Sequence, residues 1–330
     1  MIFFISVFLE QLYSENLTSQ SHRFAKGTAQ NMISGIRTWL TFCVFYNLAY
    51  LPATAVSLVP FLQLMSLTVT YYHLKHLLSA IKFFHQAKGM VFPDHDFDVS
   101  NTMHGLKREL SHTPFQALPL TPSIMRSMYS QLDMSSPRDL SLWCSYLVTF
   151  YCLFRKNNSV PKSMKNFDKK RTLLRKHMRV DTSNNMVYVQ VTFSKTIQFG
   201  QRELIIPIPG NQDPAMDPVR HLHALFVRCP CPTDSPAFTY GRDKCITYSS
   251  FTTSLKQLLK KSGVDHSLYS GHSFRRGGAT LLYSLGASIL QIQASGDWSS
   301  QCFARYLHVS EEERLKVQTL VANALSDGWQ

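Results

Sequence analysis

Residues 271–309 read GHSFRRGGATLLYSLGASILQIQASGDWSSQCFARYLHV, and the order of residue types in this stretch governs the reading of the whole chain. His272 and Arg275 stand three apart, so at a helix start they face the same side. Gly277 and Gly278 allow two backbones to approach closely. Gly286 is placed to end that helix in the left-handed conformation, and Ser288 to cap the next one. Trp298 follows, with Tyr306 eight residues further on. A second arginine, Arg155, is predicted to close a long apolar helix over residues 137–156. There it also suits the helix dipole, which is the plain structural reason for a cation at that end. Together, two arginines, a histidine, an indole donor and a tyrosine make a set suited to attack on a phosphodiester. Guanidinium groups bind phosphate oxygens bidentately and stay charged at any working pH. They would offset charge developing on the non-bridging oxygens, while tyrosine is a nucleophile able to hold the phosphoryl group covalently.

Composition points the same way. The chain has 330 residues, 45% hydrophobic and 17% charged, which excludes a disordered acidic chain and a coiled coil. Lys and Arg number 34 against 21 Asp and Glu, a net charge of +13, and the pI is near 9.4. Residues 1–115 hold 8 basic and 6 acidic residues, net +2; residues 116–330 hold 26 and 15, net +11. That excess favours a polyanionic partner, either nucleic acid or an acidic membrane surface. Seven scattered cysteines do not make a secreted disulfide framework, so a reducing compartment is expected and secretion is not. Residues 41–74 carry no formal charge, but Pro52, Pro60 and many polar residues interrupt them. They read as two buried amphipathic helices joined near Pro52, with no membrane span.

Helical spacing recurs over residues 27–46, 60–67, 70–85 and, more briefly, 100–110. A Pro-punctuated linker follows, and Thr121-Pro122 is a capped helix start. Residues 186–193 (MVYVQVTF) and 203–208 (ELIIPI) alternate and read as paired strands. Further helices are predicted over 249–262 and from Gly277 to the end. The fold class is therefore α+β. Residues 1–21 form a leader, either disordered or a leading helix; 22–112 form a helical domain and 113–121 a linker. Residues 122–330 form a mixed, mainly helical domain with a small antiparallel sheet.

The motifs His272-Ser-Phe-Arg275, RGGATLL, GDW ending at Trp298 and RYL containing Tyr306 resemble those of the tyrosine recombinase (phage integrase) superfamily. The likeness extends to CLFRK around Arg155 and SKT around Lys195, and LSAIKFFHQ over 78–86 is similar to the family's core-binding domain. The HSFRRGGA and GDW signatures are most like the eukaryotic transposon-encoded branch, of DIRS and Crypton type. The resemblance implies a two-domain clamp on double-stranded DNA, with a helical core-binding domain (SAM-like) and a catalytic domain. It implies Arg155 and Arg275 as phosphate-clamping arginines, His272 as the histidine of the pair, and Trp298 where the family has His or Trp. Tyr306 would form a 3′-phosphotyrosyl link, and Lys195 would protonate the leaving 5′ oxygen. Lys156, Arg202 and Arg276 would contact DNA. No metal, ATP or small-molecule cofactor is implied. A homotetramer on DNA is, with the helix over 311–325 packing on a neighbouring subunit. The sequence departs from the pattern at Asn158, where many members carry an acid, and in a Trp298–Tyr306 gap one residue shorter than in many bacterial members.

Two other readings share this fold: a domesticated, catalytically silent DNA-binding protein, and a type IB topoisomerase-like enzyme that relaxes DNA without strand exchange. A zinc-organised protein is a third, on His221, His223, Cys229, Cys231 and Cys245. However, Cys-Pro-Cys is tight for a zinc knuckle, and a two-residue gap on a helix points the histidines apart. The run KKRTLLRK over 169–176 reads first as a solvated or DNA-facing surface and second as a nuclear address, the alternative location being cytoplasmic.

Overall fold

Phe61 meets Trp39 and Phe42 edge-on, with Trp39–Phe61 ring centroids 5.1 Å apart and Phe42–Phe61 5.2 Å. This cluster joins helix α1 (Lys26–Phe45) to α2 (Ala55–Ser66). The computed structural model describes residues 26–110, 116–165, 167–193, 204–298, 300–307 and 311–326, and the chain divides into units Met1–Pro114 and Phe115–Gln330. In the first unit, α3 (Tyr71–Ala87) lies so close to α1 that a Cβ on Gly35 would sit 2.7 Å from the Ala80 Cβ. Leu58, Leu62, Leu74 and Ile81 are fully buried around the aromatic cluster, each contributing about 1.5–3 kcal/mol by leaving water. Buried His85 ties α3 to the start of α2: its Nε2 accepts from Ala53 N at 2.7 Å and its Nδ1 faces Ile81 O at 2.8 Å. Thr70 caps α3, and Asp96 caps α4 (Phe97–Glu109) by accepting from Asp98 N at 3.0 Å. One expectation shifts. The second helix begins at Ala55 and passes through Pro60, because Val56, whose carbonyl the missing Pro60 N–H would have used, lies on the exposed side.

The second unit is arranged around α6 (Pro137–Tyr151), in which residues 140–150 are all buried; a helix apolar on every side belongs at a centre. Before it, α5 (Pro122–Tyr129) starts as expected, Thr121 Oγ1 accepting from Ile124 N at 3.3 Å. After it come the one-turn α7 (Lys156–Ser159) and the antiparallel sheet β1 (Met178–Asp181), β2 (Met186–Val191) and β3 (Leu204–Pro209), in the order β1-β2-β3. Val187 pairs with Ile208 and Val189 with Ile206, and helix α8 (Pro218–Arg228) packs on this sheet. A two-stranded ribbon, β4 (Thr239–Gly241) and β5 (Lys244–Cys245), leads to α9 (Tyr248–Lys261). Then follow α10 (His272–Ser284), α11 (Ile289–Ser295) and α12 (Glu311–Ser326). The α+β architecture and the paired strands are as expected. Strand β1 was not anticipated. No helix among the described residues is long and apolar enough to cross a membrane.

Two contacts seat α10 on α6. The Tyr146 ring lies 4.7 Å from Phe251 and 4.8 Å from Phe274, and its hydroxyl donates to Phe251 O at 2.9 Å. The double glycine then brings backbone against backbone: a Cβ on Gly277 would overlap Leu120 O, and one on Gly278 would stand 2.6 Å from Phe150 O. Leu120 N donates to Ser273 O at 3.0 Å across the same contact. The long helix ends at Tyr151, five residues before the predicted Lys156. Leu153 turns the chain there at φ 50°, a left-handed conformation costing a branched residue about 1–2 kcal/mol.

Gly277→Ala is expected to destabilise the second unit by about 2–4 kcal/mol, because its obstacle is backbone that cannot move aside. Gly105→Ala on α4 meets nothing within 4 Å and should stabilise by about 0.5–1 kcal/mol. Urea titrations of the two variants beside the parent check both signs.

Candidate active site

The site forms where α10, the turn after α6 and the turn after α11 converge. His272 and Arg275 occupy the first turn of α10, directly before Gly277 and Gly278, so the glycine contact fixes how deep that end of the helix sits. Gly286, at φ 80°, follows the end of α10 as expected. Ser288 caps α11 reciprocally: its Oγ accepts from Gln291 N at 3.2 Å, and Gln291 Oε1 accepts from Ser288 N at 2.7 Å. At the other end of α11, Asp297 adopts φ 50° and Trp298 N donates to Gln293 O at 3.1 Å. The reversed chain lays the indole against Gly296, where a Cβ would overlap the ring.

Arg275 is 4% exposed. Its Nη1 donates to Leu153 O and its Nη2 to Gly296 O at 2.8 Å, so the guanidinium bridges the two turns. It also lies 4.0 Å from the Trp298 ring centroid and 5.1 Å from that of Tyr306, and the two rings are 5.4 Å apart. Arg275, Trp298 and Tyr306, well separated in sequence, thus form one stack. The buried Trp298 Nε1 has no hydrogen-bond partner among the described residues. Tyr306 is half-buried, and Thr280 Oγ1 donates to its carbonyl at 3.5 Å.

Arg155 lies in extended conformation just before α7. This corrects the expectation that it closes the long helix: it precedes a helix N-terminus, where the dipole does not favour a cation. Arg155 lines a narrow cleft with Asn158, Arg275 and Asp297. His272 is pulled below its ordinary titration range by burial and then by the charges of Lys156, Arg155 and Arg275, which places all four within one electrostatic environment. Lys156 stands over the Tyr248 ring at 3.9 Å, and its stem packs on Gly271. Arg276 is buried, its Nη1 donating to Gln116 Oε1 at 2.9 Å. Asn158 Nδ2 donates to Phe193 O at 3.3 Å, at the exit of β2.

Of the residues singled out from the sequence, the structure therefore brings Arg155, His272, Arg275, Trp298 and Tyr306 to one region, with Lys156 at its edge. Lys195 and Arg202 lie outside the described residues. The carbonyls of Leu153 and Gly296, which hold Arg275, went unforeseen; the only signal was the glycine of GDW. The rival metal set does not assemble. His221 Nε2 bonds Pro214 O at 2.8 Å, His223 is exposed on the same helix, and among the described residues no three His, Cys, Asp or Glu are grouped to hold a metal.

No family model matches the chain, and no curated protein does. Several solved structures are similar to it. The integrase of the Tn1549 transposon, in complex with transposon right end DNA, is 13% identical with a TM-score of 0.56, covering 94% of this chain and 98% of that one. A lambda integrase dimer bound to a COC′ core site is 16% identical with a TM-score of 0.56, covering 92% and 95%. The XerH site-specific recombinase bound to palindromic difH is 14% identical with a TM-score of 0.55, covering 82% and 70%. At such identities the likeness is one of architecture: the chain has the tyrosine recombinase fold.

Proposed function

We propose that the chain is a tyrosine-type DNA recombinase or integrase that cleaves and rejoins duplex DNA through a 3′-phosphotyrosyl intermediate, without metal or ATP. The observation that carries this reading is the stack of Arg275 on Trp298 and Tyr306, with an unpartnered buried indole N–H beside a guanidinium. A cation and a spare donor held next to a phenol are what a non-bridging phosphate oxygen needs in the transition state. Tyr306 Oη bonds to phosphorus, the P–O5′ bond breaks, and the departing O5′ takes a proton. The family resemblance assigns that proton to Lys195. Arg155, which lines the same cleft as Arg275, completes the clamp. The net +11 of residues 116–330 supports a DNA partner, as do the DNA complexes formed by the structural neighbours. Assembly as a homotetramer, origin in a eukaryotic transposon of DIRS or Crypton type, the helical unit's role as a core-binding domain and a nuclear location belong to the same proposal. They rest on the resemblance.

Incubation with supercoiled plasmid in EDTA is expected to give a denaturant-resistant protein–DNA adduct that Tyr306→Phe abolishes while binding is retained. Trp298→Phe keeps the ring and loses the donor, and should slow adduct formation by about 10²–10³-fold. Tight binding with no adduct, on the element's own terminal sequences as well, would support a catalytically silent DNA-binding protein. Relaxation by a protein that stays monomeric on DNA would support a topoisomerase.

A pH dependence follows from His272. Its titration is held below the ordinary 6.5, so the ring is neutral in the free protein at pH 7. A phosphate beside it favours the imidazolium, so binding takes up a proton and affinity rises as pH falls. The slope approaches about tenfold per pH unit at most for one proton. Binding isotherms between pH 5.5 and pH 8 (roughly one unit below to above the histidine range) for the parent and His272→Gln check this, the variant being flat.

A further inference from the structure

Lys156, at the edge of the site, is held by packing and not by an opposite charge. Three residues far apart in sequence meet there: Lys156 opens α7, Tyr248 opens α9, and Gly271 comes directly before α10. The Lys156 Nζ lies 3.9 Å from the Tyr248 ring centroid, within the range at which a ring face attracts an ammonium. Its stem fills the space beside Gly271. A Cβ on that glycine would overlap Lys156 Cδ and stand 3.1 Å from Cγ and 3.2 Å from Cβ, its three nearest atoms. The backbone that carries the ring is tied down as well: Tyr248 N donates to Pro161 O at 2.8 Å, and Thr247 N donates to Ser250 Oγ at 2.8 Å.

No carboxylate among the described residues pairs with Lys156. The neighbouring helices do not suit a cation either, since α9 and α10 both begin here and a helix start favours negative charge. The lysine nonetheless belongs to the site electrostatically. Of the cations that add to burial in pulling His272 down, it comes first. A mobile lysine side chain loses rotamer freedom when it engages a ligand. One already laid across a glycine and against a ring has lost it beforehand, which strengthens the contact without adding an atom to it.

Building on the reading of the chain as a DNA strand transferase, we propose that Tyr248 and Gly271 are positioning residues for Lys156. Together they hold its ammonium ready for a non-bridging phosphate oxygen of duplex DNA. The ring supplies the seat for the charge, and the missing side chain at 271 supplies the channel for the stem. Neither residue reads sequence; both act through the lysine.

The test titrates the full chain into a labelled duplex of about 30 base pairs over a range of salt, its sequence arbitrary because phosphate contacts need none in particular. Lys156→Met keeps most of the stem and removes the charge. It should weaken binding about tenfold and lower the log–log salt slope by about one. Tyr248→Leu should weaken binding about fivefold with the slope kept, since the charge remains but must be ordered on binding. Tyr248→Phe keeps the ring face and should match the parent. Gly271→Ala displaces the stem at a backbone of φ −59°, which alanine adopts freely, and should match Tyr248→Leu. In the Lys156→Met background neither Tyr248→Leu nor Gly271→Ala should weaken binding further. The two substitutions reach the same contact from opposite sides, so if one misfolds the other decides. Parent-like binding by both, losses that persist in full without the lysine, or a Tyr248→Phe as weak as Tyr248→Leu would overturn the proposal and leave the DNA reading in place. A parent whose binding is indifferent to salt would overturn both.

Discussion

A guanidinium cannot shed its charge at any pH a cell reaches, so burying one obliges the protein to solvate it. Arg275 is solvated by two backbone carbonyls from different turns and by the faces of two aromatic rings. Each demands something elsewhere. The Leu153 carbonyl is in reach because the chain leaves α6 through a left-handed residue. The Gly296 carbonyl is in reach because α11 stops at a glycine whose bare face accepts the Trp298 ring. Arg275 itself sits deep enough because Gly277 and Gly278 let α10 touch Leu120 and Phe150. Four local irregularities in the chain are thus set by one buried cation, and the half-buried tyrosine is held by the same stack.

What the sequence disclosed and what it withheld divide along a physical line. The turn from α10 to α11 was legible in Gly286 and Ser288 because helix caps are short-range hydrogen bonds between neighbours in the chain. The pairing of β2 with β3 was legible in the alternation of Val187, Val189 and Val191 with Ile206 and Ile208. Strand β1 was not, because MRVD is too short and polar to show a period, and its partner supplies the register. The end of α6 was missed for a related reason. Residues 152–156 carry no breaker, and the chain turns there because of what α10 brings from more than a hundred residues away. For the site, side-chain identities and spacings were readable, while the carbonyls that orient Arg275 carry no residue signature.

The polar surroundings of the cleft explain one departure from the family pattern. Position 158 faces Phe193 O at the exit of β2, and the Asn158 amide has a proton to give it. A carboxylate in that place would set two acceptors against each other beside Val191 and Phe154, which line the same cleft; that arrangement costs the desolvation of both. An acid there would also offset the charges of Lys156, Arg155 and Arg275, which add to burial in pulling His272 down. The residue type at 158 is therefore set by the carbonyl it meets. With an amide there, position 158 adds no carboxylate to the cleft that Arg155 and Arg275 line.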